Sequence, residues 1–61
     1  MYEYVVMGVW DVFNSAGEKI GVDSFDYESY TYLEDAIRAL RTRIKEEMDS
    51  EFPKIIGIRL E

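Results

Sequence analysis

The segment Tyr2 to Phe13 reads as a strand that is apolar on both of its faces, in a chain of 61 residues. Tyr4, Val6, Trp10 and Val12 fall on one side, and Val5, Met7, Val9 and Phe13 on the other. Such a strand belongs in the middle of a sheet with both faces covered. A chain this short has too little material for that, because a domain of about 60 residues buries only about 60% of its unfolded surface. One apolar face is therefore expected to stay open or to be covered by another molecule.

The residue inventory narrows what else can help. The chain has no cysteine and no histidine, so it has neither a disulfide framework nor a thiolate zinc site, and it lacks the commonest metal ligand. No metal and no cofactor are expected, and association is the remaining way to reinforce so small a scaffold. Seven basic residues stand against thirteen acidic ones, a formal charge of −6. Direct nucleic-acid binding is disfavoured, since it needs a basic stripe that releases counterions from phosphate. A protein partner with a basic surface fits the charge better. The start of the chain does not read as a signal peptide, and no apolar run approaches the roughly 20 residues of a membrane span. A cytoplasmic protein with no membrane contact is expected.

Turn and cap residues then order the elements. Asn14-Ser15-Ala16-Gly17 fits a three-residue hairpin loop closed by a left-handed glycine. That loop would set Val12 opposite Ile20 and Trp10 opposite Val22. The even-numbered residues then share the core face, and Glu3, Asp11, Lys19 and Asp23 share the other. Thr31-Tyr32-Leu33-Glu34 reads as a capping box that opens a helix over Tyr32 to Asp49. Its apolar face is Leu33, Ala36, Ile37, Leu40, Ile44 and Met48. Pro53 cannot continue a helix, and Lys54 to Leu60 makes a last strand. A right-handed crossover leaves the first strand central. The expectation is a single α+β domain over residues 1–61, ββαβ in order, with a three-stranded antiparallel sheet (2-1-3) and one helix on one face. Gly8 is expected to let that helix approach closely.

Two candidate surfaces follow. The first is the open sheet face, with Val5, Met7, Val9 and Phe13 flanked by Phe25 and Ile55, which suits a homodimer or a partner interface. Edge-to-edge pairing of the last strand is its geometric rival. The second is acidic and aromatic: Asp23, Asp26, Tyr27, Glu28 and Tyr30, with Glu46, Glu47 and Asp49 at the helix end where cations are preferred. Catalysis finds no residues to carry it. Ser15, Ser24, Ser29 and Ser50 have no visible base, no glycine-rich phosphate loop is present, and a single-layer core has no dry pocket in which to shift a carboxylate.

In length, charge and aromatic content the chain resembles compact DNA-mimic inhibitors of the kind phages and other mobile elements encode. The resemblance implies a small acidic inhibitor or regulator whose carboxylates occupy the basic nucleic-acid-binding groove of a larger protein. It is one of composition, and no residue's role is carried over from it. The alternative reading is a homodimeric assembly or scaffolding protein acting through the apolar sheet face, with the acidity serving solubility.

Overall fold

Asn14 organises the first turn through its side chain as well as its backbone. Its Oδ1 accepts the N–H groups of Ala16 and Glu18, both at 2.9 Å, and its carbonyl accepts that of Gly17 at 3.0 Å. Gly17 sits at φ +80°, where a side chain would be strained. In the computed structural model, which describes residues 2–61, this turn joins β1 (Tyr4–Phe13) to β2 (Lys19–Tyr30). The helix α1 (Leu33–Glu47) and the strand β3 (Ile55–Leu60) follow. The sheet is antiparallel in the order β2-β1-β3, so the doubly apolar strand is central. The fold is a small α+β domain with one helix against one face of an open sheet.

The register of β2 departs from expectation. The turn sets Phe13 opposite Lys19, but a bulge follows at once, and Val12 then pairs with Gly21, Asp11 with Val22 and Trp10 with Asp23. One extra residue reverses which side every following residue faces. Val22 therefore lies on the open face, whereas Asp23 and Phe25 lie on the helix side, each the reverse of the simple hairpin. A second shift between Val6 and Met7 leaves Tyr27 as the extra residue and restores the original phase at Glu28 and Tyr30.

β2 also runs further than its composition suggests, with Tyr30 still paired to Tyr4. The helix accordingly starts one residue later. Tyr32 is its N-cap, with no side-chain cap bond, and its carbonyl accepts the N–H groups of Asp35 and Ala36 at 3.2 Å. The capping box expected of Thr31 does not form, because the strand and the turn out of it occupy that position. Glu34 and Asp35 in the first turn still complement the helix dipole. The last turn ends at Glu47 with Met48 as C-cap, so Asp49 lies beyond the helix.

Val6 on the central strand and Ala36 on the helix are both fully buried. Around them cover thins quickly. Leu33, Ile44 and Met48, on the expected apolar face of α1, stay 46%, 42% and 78% exposed, because the helix leans towards β3 and spans only part of the sheet. Gly8 does not admit the helix. A Cβ there would stand 2.8 Å from the Tyr27 hydroxyl, so its missing side chain makes room for the Tyr27 ring.

Candidate functional site

The open face is divided in two by a single cation. Arg59, opposite Val5 in the sheet, reaches over the central strand to Asp26, which is opposite Met7 on the other side. The guanidinium makes two parallel bonds, Nη1 to Oδ1 at 3.1 Å and Nη2 to Oδ2 at 2.9 Å, and its Nη2 also meets Glu61 at 3.1 Å. The Met7 sulfur lies 3.7 Å from the same Nη1. Beneath this strap Val5 is only 4% exposed, although it faces away from the helix. The Arg59 guanidinium holds the Asp26 carboxyl below its ordinary value of 3.8, chiefly by the hydrogen bond.

Beyond the strap the face is bare. Val9 pairs with Ile55 and Ser24, after which β1 has no β3 partner, and Phe13 and Val22 extend the apolar surface to the hairpin end. Phe13, Val22 and Ile55 are each more than half exposed, as is Phe52 in the loop before β3. Val9, Phe13, Phe52, Pro53 and Ile55, with Trp10 and Lys54, line a cleft of about 440 Å³ between the free edge of β1 and that loop. Lys54 Nζ lies 5.3 Å from the centroid of the Trp10 ring. Asp11 and Lys19 on the bare half pair with each other at 3.2 Å, and Glu51 and Lys54 stand at the rim of the cleft, Lys54 paired with Glu47. Of the expected interface residues, Val9, Phe13 and Ile55 gather here. Val5 and Met7 lie under the strap, and Phe25 is on the opposite side.

The acidic and aromatic residues turn out to fasten α1 to β2. Arg43 stacks on the Tyr27 ring at 4.2 Å and reaches Glu28 at 3.5 Å and Glu46 at 3.6 Å. Glu28 in turn accepts the Tyr30 hydroxyl at 2.9 Å, and that bond to a carboxylate raises the phenol above its ordinary range. Phe25 meets Tyr27 edge to face at 5.3 Å. Glu47 accepts the Lys54 N–H at 3.1 Å and pairs with its ammonium at 3.9 Å, which ties the end of the helix to the start of β3. Asp26, Glu28, Glu46 and Glu47 are thus all engaged with the chain's own cations. Asp23 accepts the Ser24 N–H at 2.8 Å, and Asp49 makes no ion pair among the described residues. Asp26 lies on the open face, whereas Asp23, Glu28 and Tyr30 lie on the helix side, where Glu28, Tyr30 and Glu46 line one groove.

Arg59, Lys54, Val22 and Phe52 are the participants that sequence reasoning missed. Arg59 had a legible signal, as the one charged residue inside the apolar run Ile55 to Leu60. Val22 had none, because its facing depends on a bulge. Among the described residues no cluster of acidic groups is placed to hold a metal, and no helix is long and apolar enough to cross a membrane. Compared with known proteins, the chain matches no family model, no curated protein and no solved structure.

Proposed function

We propose that the chain is a non-catalytic protein-binding module whose contact surface is the bare half of the open sheet face. The observation that carries this reading is an excess of surface. A folded monomer of 7.2 kDa is expected to expose about 4,100 Å², whereas this chain exposes 4890 Å². Among the exposed large hydrophobic residues, Phe13, Val22, Phe52 and Ile55 gather on the bare half, and such a grouping marks a contact surface more than single exposed residues do.

A DNA-mimic inhibitor is the second reading. In its favour, seven of the thirteen carboxylates make no ion pair among the described residues, including Glu34 and Asp35 together at the start of α1. Against it, those seven are spread along the sequence from Glu3 to Glu51, and of the residues first singled out Asp26, Glu28, Glu46 and Glu47 are paired with the chain's own cations. Salt separates the two readings. With the chain immobilised and a bound partner in hand, an apolar contact holds at 0.5 M NaCl and is lost in Phe13→Glu. Release by moderate salt, with Phe13→Glu binding as before, would instead favour the acidic reading.

A further inference from the structure

The occupant of the bare half can be argued from three features of the chain itself. The first is area. The chain exposes 4890 Å² against about 4,100 Å² for a monomer of its mass, a surplus of roughly 800 Å². A standard stable interface removes about 800 Å² from each partner. One further contact of ordinary size would therefore bring the chain to the surface expected of a well-packed protein. The second feature is the thinness of the core, where among the described residues only Val5, Val6 and Ala36 are buried hydrophobic residues. The third is charge. The molecule carries −6, yet on the strands of the bare half Asp11 and Lys19 are paired with each other, and the remaining charges, Glu51 and Lys54, stand at the rim of the cleft. Two such halves can meet through their centres without bringing unpaired like charges together, which the strapped half, with Asp26 and Glu61 sharing one arginine and Glu3 beside them, cannot do.

On the reading that the bare half is a contact surface, we infer that its occupant is a second copy of this chain. Two copies pack sheet to sheet about a two-fold axis, with Val9, Phe13, Val22 and Ile55 of each against the same residues of the other. A two-fold contact needs one self-complementary patch, and a flat, neutral, apolar surface meets that requirement. The sheets of such a pair lie about 10 Å apart, and the four side chains fill the gap as the inner face of a sandwich does. The Asp26–Arg59 strap ends the contact at Met7, so the copies overlap at their hairpin ends and diverge towards the strapped halves.

The test is the mass in solution by sedimentation equilibrium across chain concentration, at 0.1 and 0.5 M NaCl. The expected result is twice 7.2 kDa at both salts, with tighter association at the higher salt as the two −6 charges are screened. Thermal denaturation should shift upward with chain concentration. Phe13→Glu should weaken the dimer by about 100-fold or more, the loss expected of a central anchor. Both Phe13 and Val22 are exposed in the single chain, so Val22→Lys gives a second variant whose folding is checked by circular dichroism. As the chain has no cysteine, Val22→Cys forms a disulfide only between copies, and it should oxidise to the dimer while Glu34→Cys on the helix stays monomeric. A wild-type mass of 7.2 kDa at every concentration overturns the inference, as do folded Phe13→Glu and Val22→Lys proteins that remain dimers. The two levels fail separately. A monomeric wild type that binds another protein through Phe13 overturns self-association and keeps the contact surface, whereas one that binds without Phe13 removes both.

Discussion

Single residues here do more than fill positions. Gly8 is the clearest case, since the space where its side chain would be is taken by Tyr27, itself held between Phe25 and Arg43. Gly8→Ala should therefore destabilise the fold by about 1–2 kcal/mol, the usual result of overpacking a site that cannot relax freely. Urea denaturation at fixed chain concentration checks this, and Tyr27→Ala in the same chain should remove most of the penalty. Asp26 makes a different kind of prediction. Its folded pKa lies below 3.8, so the strap's contribution is fully present above that value and is lost as pH falls through the depressed folded one. Acidification below pH 3.8, through the depressed folded pKa, should release Arg59 and expose Met7, seen as a shift of the Met7 methyl resonance that is absent in Asp26→Asn.

At the level of elements, the attachment of α1 to β2 rests on one side chain. Arg43 provides a cation over Tyr27 and contacts to Glu28 and Glu46, and a planar guanidinium can stack and donate at once. Arg43→Ala should cost about 1–2 kcal/mol, and Arg43→Lys should recover only part of it, because an ammonium cannot reproduce the stack. Denaturation midpoints of the two variants decide the point. The order of elements was legible because its signals are local: Asn14 and Gly17 make the turn, apolar spacing makes the helix, and Pro53 ends it. The facing of β2 was not legible, because a bulge at Ile20 and another at Tyr27 depend on how the strands twist together rather than on any residue that announces them. Val22 and Phe25 therefore changed sides while Val9, Phe13 and Ile55, on strands without that slip, stayed where the alternation placed them. The pairing of Asp26, Glu28, Glu46 and Glu47 was not legible for a related reason. Their partners are Arg43, Lys54 and Arg59, which come from other elements, and composition cannot reveal cross-element pairing.

The whole molecule is a plate, its Cα atoms spanning 43 × 26 × 10 Å, with most side chains within one layer of solvent. That shape explains the surplus of surface and the shortage of buried side chains together. It also imposes an order on synthesis. β1 is made first but gains its second neighbour only when Ile55 to Leu60 arrive, so the growing chain holds a hairpin with one edge of its most apolar strand unpaired. A hairpin forms in about 1–10 μs once both strands are present, whereas translating the residues between Tyr30 and Ile55 takes on the order of a few seconds. Whenever the hairpin stands without β3, the open edge of its most apolar strand is a template for pairing with another chain, and the arrival of Ile55 to Leu60 is what closes it.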